Sequence, residues 1–339
     1  MRDESHDREG LGTCSPLPRD DLRIPLRRES RLGLHPDEDR RRPLWLNGEP
    51  EALRLPAIGI VGTRRPSAHG LAAARSIAAI CVARGWLVVS GMALGIDVAA
   101  HEAALAAGGV TIGVLPSPAP DGVRQGARRL AERIVERGAL LSDRPPGTPA
   151  AAWSFVARNT LLAALCDGLI VVEAPEGSGA LITAEAAEGF GLPLAFVSAP
   201  FGSVTSAGGA TWFARSSELS LHLSERRAPQ LLTDSASVQS WLSVCAASVQ
   251  EDSDRSATSL QPQRVLAQPP PLGGLRGAIL QRLAGAGAAG LAEGDLLDLS
   301  LGVEAALPAA LTLLAAQGLI EQRGGRWRGC EGAVLRSRA

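Results

Sequence analysis

Three short segments of the sequence combine a glycine with a hydroxyl side chain, and one of them adds an arginine, in a way that suits phosphate binding. They are Gly62-Thr63-Arg64, Ser90-Gly91 and Ser178-Gly179, and each follows an apolar run or opens a helical pattern. Glycine lets a ligand approach the backbone, amides at the start of a helix attract an anion, and arginine can bind phosphate through two parallel hydrogen bonds. For Gly62-Thr63-Arg64 alone, an ordinary polar turn between a strand and a helix is the alternative interpretation.

A fourth segment pairs an aromatic ring with an arginine. Phe155 and Arg158 are three residues apart, with Asn159 beside them, so the ring and the guanidinium share one face of a predicted helix. A ring that stacks on a base and a cation that binds phosphate are typical of proteins that bind single-stranded nucleic acid. A core Phe beside a surface Arg in an ion pair is the alternative.

Patterns that would indicate a cofactor, a metal or a catalytic group are missing from the sequence. The Gly-x-Gly-x-x-Gly fingerprint is absent, and the five cysteines are scattered without metal-binding spacing. The carboxylates are isolated: Asp97 is expected to cap a helix, His101 follows it by four residues, and Glu173 either accepts a hydrogen bond from a base or sugar or is buried against backbone amides. We therefore predict no cofactor, no metal site and no enzyme, with a nucleotide-binding or nucleotide-hydrolysing Rossmann-like enzyme as the alternative.

The elements that must position these residues alternate regularly along the chain. Near-continuous apolar runs predict strands at 57–61, 87–90, 110–115, 139–142, 169–173 and 194–198. Helical patterns lie between them, near 70–83, 96–107, 126–137, 155–165 and 180–190. This alternation predicts an α/β fold with an extended Rossmann-like parallel sheet, in which a ligand binds beyond the carboxyl ends of the strands.

The composition divides the chain into four predicted segments. Residues 1–44 predict a disordered or reduced N-terminal arm, 45–226 the Rossmann-like domain, and 227–273 a Ser/Gln/Pro-rich linker in which Val238–Val249 could form a short helix. Residues 274–330 predict a small winged-helix domain with a hairpin turn at Gly324-Gly325. Because 303–317 holds a single charged residue, we expect this domain to contribute little to DNA binding, and a fragment ending near Arg226 to retain it.

Net charge and hydropathy restrict the partners. The net charge of −1 gives no global basic field, so any DNA contact must be a local pocket. No apolar run approaches the roughly 18 residues of a membrane span, and the first ten residues are too polar for a signal peptide. We therefore expect a cytoplasmic protein without a membrane partner.

Four runs, in this order, resemble the DNA-processing protein A (DprA/Smf) family. They are Gly59–Arg64, Ser90–Asp97 with Ala100-His101, Phe155 with Arg158-Asn159, and Val172–Ala174 with Ser178–Ala184. The resemblance implies a homodimer that binds single-stranded DNA, protects incoming DNA and loads the RecA recombinase in natural transformation. It implies DNA contacts from Gly62, Thr63, Arg64, Phe155, Arg158 and Asn159, and places Ser90, Gly91, Ser178 and Gly179 at motif positions of the family. The sequence departs from the family at Thr160, which replaces an Arg, and in the Tyr-free segment Pro116–Gly126.

Overall fold

The computed structural model forms two compact units, Met1–Arg264 and Val265–Ala339. In the first unit it describes residues 11, 12, 14–17, 28, 43–219 and 228–258. In the second it describes residues 279, 282, 283, 286, 291, 292, 311, 320–323 and 326–329. None of the helices in these ranges is both long enough and apolar enough to cross a bilayer.

A nine-stranded, mostly parallel sheet forms the centre of the first unit. Its strands are β1 (Ser15–Leu17), β2 (Leu44–Gly48), β3 (Ala57–Val61), β4 (Leu87–Ser90), β5 (Thr111–Val114), β6 (Ala139–Ser142), β7 (Gly168–Val171), β8 (Leu194–Val197) and β9 (Gln230–Leu232). The spatial order is β1-β2-β6-β5-β4-β3-β7-β8-β9, and the β1–β2 and β2–β6 pairs are antiparallel whereas the other pairs are parallel. The chain therefore builds outward from β3 to β6, returns to pair β7 with β3, and builds outward again on the other side.

Helices cover both faces of the sheet. They are α1 (Ala68–Ala83), α2 (Ile96–Ala106), α3 (Arg128–Val135), α4 (Ala152–Ala164), α5 (Gly179–Gly189), α6 (Ala207–Leu219) and α7 (Ser235–Thr258). Short 3₁₀ turns occupy Pro50–Arg54, Gln125–Ala127 and Val204–Ser206. Alternation along the strands sends side chains to two cores: Val61 packs with α4 and α5, whereas Ile58 and Ile60 pack with α1, α2 and α7.

Local sequence explains where α1 begins and ends. The Ser67 hydroxyl accepts a hydrogen bond from the amide of Gly70 at 3.0 Å, which satisfies one of the free amides of the first turn. At the other end Gly85 adopts a positive φ of 77°, and the amides of Gly85 and Trp86 donate to the carbonyls of Val82 and Cys81. This is the Schellman arrangement, and it turns the chain directly into β4.

The prediction of an α/β fold with a mostly parallel sheet is confirmed, and its six predicted strands and five predicted helices are all present. Two segments differ from the expectation. Within 1–44, β1 pairs with β2, and Arg28 is buried in an ion pair with Asp167 at 2.6 Å, so the described part of this arm is ordered. Within 227–273, β9 joins the sheet and α7 buries Trp241 and Leu242 in the core, so residues 228–258 are not a linker.

In the second unit, β10 (Ile320–Arg323) pairs antiparallel with β11 (Arg326–Gly329). An isolated bridge joins Leu291 to Trp327. Most of residues 274–319, and the turn glycines Gly324 and Gly325, lie outside the described residues. The winged-helix assignment therefore stays a prediction.

Candidate functional site

A cavity of about 730 Å³ opens at the carboxyl ends of β3 and β7, where the strand order reverses. Loops leave these adjacent strands toward opposite faces of the sheet, which creates a crevice that ligands of such folds occupy. Its volume lies within the range of about 300–1,000 Å³ typical of small-ligand sites. The loops after β3, β7 and β8 line it, together with side chains from α4 and the start of α5.

The loop after β3 is held by hydrogen bonds at its base and is exposed to solvent at its tip. The Thr63 amide donates to the Glu173 carbonyl at 2.7 Å, and the Thr63 carbonyl accepts from the Ile96 amide at 3.3 Å. A Cβ atom at Gly62 would lie 2.6 Å from Ile96, so only glycine fits there. Arg64, which follows Thr63, is exposed, and its guanidinium carbon lies 5.8 Å from the centre of the Phe155 ring. This distance permits a cation–π contact at the mouth of the cavity.

The burial of the two α4 side chains is the opposite of the alternative interpretation, in which Phe155 lies in the core and Arg158 lies at the surface. Phe155 is 37% exposed, whereas Arg158 is only 5% exposed. The Arg158 Nη1 atom lies 3.9 Å from Asp97 Oδ2, and the buried Nε atom of Arg158 has no hydrogen-bond partner among the described residues. Burial, and secondarily Arg64, lowers the pKa of Arg158, while Asp97 opposes that shift. Arg158 is thus an incompletely paired cation in the cavity wall, and Phe155 presents its ring to solvent.

Ser90 and Gly91 lie beneath the cavity and do not line it. Ser90 is fully buried, and its hydroxyl donates to the Ile60 carbonyl at 2.6 Å, which ties β4 to β3. A Cβ atom at Gly91 would lie 1.4 Å from Nη1 of Arg158. Glycine at this position therefore makes room for the buried guanidinium.

Asp97 lines the cavity, and His101 is buried on the same helix without lining it. Asp97 lies within the first turn of α2 and does not cap it; its carboxylate accepts from the Ala93 amide at 3.2 Å and faces Arg158. Burial raises the pKa of Asp97, and Arg158 opposes this. Thr111 donates its hydroxyl to the Val88 carbonyl, so His101 Nδ1 donates to the Thr111 oxygen at 2.7 Å. Burial, with a smaller contribution from Arg158, lowers the pKa of His101 to about 3, so its imidazole is neutral near pH 7.

The loop after β7 and the start of α5 form the opposite wall. The Glu173 carboxylate is 2% exposed and accepts from the Ser67 amide at 2.9 Å and from its hydroxyl at 2.5 Å. Glu173 is therefore a structural carboxylate, the second of its two predicted roles. Ser178 caps α5 by accepting from the Ala180 amide at 3.3 Å, and Asn159 donates to the Gly179 carbonyl at 3.1 Å. The start of α5 thus faces the cavity.

The structure brings eight of the ten predicted site residues together at the cavity: Gly62, Thr63, Arg64, Phe155, Arg158, Asn159, Ser178 and Gly179. Sequence reasoning missed Val204 and Thr205, which line it from the loop after β8. That loop follows a predicted strand, so the rule that ligands bind beyond strand ends could have found it. In the described part of the chain no three His, Cys, Asp or Glu residues cluster closely enough to hold a metal ion.

The fold and the cavity define a doubly wound α/β protein with a ligand-sized site at the switch point of its sheet. A family model described as DNA recombination-mediator protein A matches residues 33–226, more than half of the chain. The chain belongs to this family.

Similar proteins agree with this membership. The chain is 42% identical over 137 residues to protein Smf of Synechocystis, and the matched region covers 40% of this chain and 34% of that protein. It is 35% identical over 170 residues to DNA processing protein DprA of Bacillus subtilis, and the matched region covers 46% of this chain and 57% of that protein. The chain thus spans between about a third and somewhat more than half of these two relatives.

Solved structures share the fold. The X-ray structure of DprA from Streptococcus pneumoniae aligns with a TM-score of 0.57 at 26% identity and covers 70% of this chain and 77% of that one. DNA processing protein A from Helicobacter pylori aligns with a TM-score of 0.55 at 24% identity and covers 70% of this chain and 98% of that one.

Proposed function

We propose that this protein is a recombination mediator that binds single-stranded DNA in the cavity at the carboxyl ends of β3 and β7, without an enzymatic step. The observation that carries the proposal is the exposed ring of Phe155 beside the exposed guanidinium of Arg64 at the cavity mouth. An exposed ring stacks on a base and an adjacent arginine binds the backbone, and neither contact depends on sequence. The H. pylori relative is described as having a single-stranded-DNA-binding mode, which supports the same ligand here.

The charges of the cavity favour a polyanion despite the net charge of the chain. Arg64, Arg65 and Arg158 line it together with Asp97 and Glu176. Asp97 faces Arg158 and offsets its charge. At the mouth of the cavity, the two exposed arginines Arg64 and Arg65 outweigh the exposed carboxylate of Glu176. The start of α5 adds the partial positive charge of a helix N-terminus. The footprint is local, so we expect binding to fall with salt, but with a shallow dependence.

Family membership supports the wider role. We propose that the protein acts in the cytoplasm as a homodimer, protects incoming DNA and loads RecA in natural transformation. We also propose that 274–330 forms a winged-helix domain, which the β10–β11 hairpin supports.

The test compares three ligands on the wild-type protein by fluorescence anisotropy: a single-stranded oligonucleotide, the duplex of the same sequence, and a mononucleotide competitor. We expect tighter binding of the single strand than of the duplex, because a duplex hides the base faces that Phe155 needs. Equal affinity for both would contradict the proposal.

The same experiment addresses a nucleotide-binding enzyme, which the volume of the cavity favours as the second candidate. That function predicts that a mononucleotide displaces the oligonucleotide at low concentration or is hydrolysed. Our proposal predicts neither result.

A further inference from the structure

Phe201 is fully exposed on a tight turn after β8. The Ser203 amide donates to the Pro200 carbonyl at 3.1 Å, and Gly202 adopts a positive φ of 78°. These features define a type II turn, with Phe201 at its second position and the required glycine at its third. Such a turn holds the ring away from the protein surface, although a ring of this size is normally buried.

The turn is attached to the cavity. Val204 and Thr205, directly after it, line the cavity from the β8 side. A little further on, the Gly209 amide donates to the Ala174 carbonyl at 2.8 Å, and a Cβ atom at Gly208 would lie 2.7 Å from Pro175. These contacts fix the segment after the turn against the loop that follows β7, so Phe201 lies next to the site already described.

The chemistry of this segment suits a nucleic acid strand. Residues 198–214 contain no charged side chain, so nothing in the segment repels phosphate. Ser203 and Thr205 supply hydroxyl groups that can donate to phosphate oxygens, and they bond only to each other among the described residues. An exposed ring next to hydroxyl donors, at the edge of a cavity lined by arginines, matches a stacking platform for an unpaired base.

We propose that Phe201 stacks on a base of single-stranded DNA outside the cavity, as a second platform in addition to Phe155. The strand would enter past Phe155 and leave over Val204 and Thr205 before it meets Phe201. This inference rests on the proposed function, and it extends the binding site from the cavity to the loop after β8.

The test uses Phe201→Ala, Phe201→Trp and a control, Leu55→Ala. Leu55 is also an exposed apolar side chain, but it precedes β3 and so lies at the opposite end of the sheet. Each protein is titrated with a short oligonucleotide of about two nucleotides, which reaches only the cavity, and with one of about ten, which lies within the usual range of site sizes. Thermal melting shows whether each variant is folded, and sedimentation shows whether it has the wild-type oligomeric state.

We expect Phe201→Ala to bind the longer oligonucleotide about 5- to 150-fold more weakly, the loss typical of one base–aromatic stack. Binding of the short oligonucleotide should not change, Phe201→Trp should bind as tightly as the wild type, and Leu55→Ala should have no effect. An equal loss for both lengths, accompanied by a changed oligomeric state, would overturn the inference in favour of a contact between two copies of the chain.

Failure of the inference and failure of the proposed function give different results. If the wild type binds both oligonucleotides and Phe201→Ala behaves like it at both lengths, Phe201 is not a stacking platform, while the cavity still binds DNA. If the wild type binds neither oligonucleotide, the proposed function itself is wrong.

Discussion

Replacing Arg64 by alanine removes one exposed guanidinium and tests whether the cavity mouth binds phosphate. In the structure this group lies over the Phe155 ring at 5.8 Å, and such an exposed cation–π contact contributes about 0.5–1 kcal/mol. The free energy of unfolding should therefore fall by no more than this. A hydrogen bond to a charged group is worth about 1.5–3 kcal/mol, so single-strand affinity should fall by about 10- to 150-fold.

The assay measures the dissociation constant of a fluorescent single-stranded oligonucleotide over a salt series, alongside the melting temperature. Losing one phosphate contact should lower the slope of log affinity against log salt by about 0.7. Arg64→Lys should bind with intermediate affinity, because it keeps the charge but loses the planar guanidinium. Arg133→Ala is the matched control, because Arg133 is an exposed residue of α3 outside the cavity. A folded Arg64→Ala protein with wild-type affinity and salt slope would refute the reasoning.

Three further results are expected. Phe155→Ala should cost about 1–3 kcal/mol of binding free energy and, because its ring is 37% exposed, less stability than the roughly 3–5 kcal/mol of a core Phe; affinity and melting of the same variant measure both. A fragment ending at Arg264 should keep its oligonucleotide affinity at moderate salt, whereas an isolated 274–339 fragment should bind the oligonucleotide poorly. A fragment ending at Arg226 should melt at a lower temperature than the fragment ending at Arg264, because it lacks β9 and α7. Burial holds the pKa of His101 at about 3 instead of 6.5, so the unfolded chain binds more protons between these values. Acidification from about pH 7.5 to about pH 5 should therefore remove about 2 kcal/mol of stability, and urea unfolding of His101→Gln should lack this loss.

The central strands could be predicted because each is a continuous apolar run, as burial on both faces requires. The edge strands gave no such signal. β1 is Ser-Pro-Leu and β9 is Gln-Leu-Leu, so each is too short for a periodic pattern and forms only because a neighbouring strand is already in place. The ordered part of the N-terminal arm depends on a similar long-range contact, the ion pair between Arg28 and Asp167.

The grouping of the site residues could also be predicted, because the carboxyl ends of neighbouring parallel strands lie at one edge of a sheet. How deeply each of their side chains is buried could not be predicted. Phe155 and Arg158 share a helix face, and Arg158 is the buried member of the pair because it faces Asp97 on another helix and fits into the space left by Gly91. Gly91 could be predicted to allow a close approach, but what approaches it is the Arg158 side chain and not a ligand.

Residues 228–258 pack in the first unit, although their composition indicates a linker. The Ser/Gln-rich composition of the segment after residue 226 indicates a linker, yet α7 places Val238, Trp241, Leu242 and Cys245 at helical spacing against the sheet. The polar residues between them occupy the outer face of that helix. Periodicity was therefore the better guide than composition for this segment.

The most direct test of the central claim is a crystal structure of this protein with a bound single-stranded oligonucleotide. The account predicts a base stacked on Phe155, with phosphate oxygens within hydrogen-bond distance of Arg64 and of the amides at the start of α5. A DNA strand bound instead along the β10–β11 hairpin, with the cavity at the carboxyl ends of β3 and β7 empty, would contradict it.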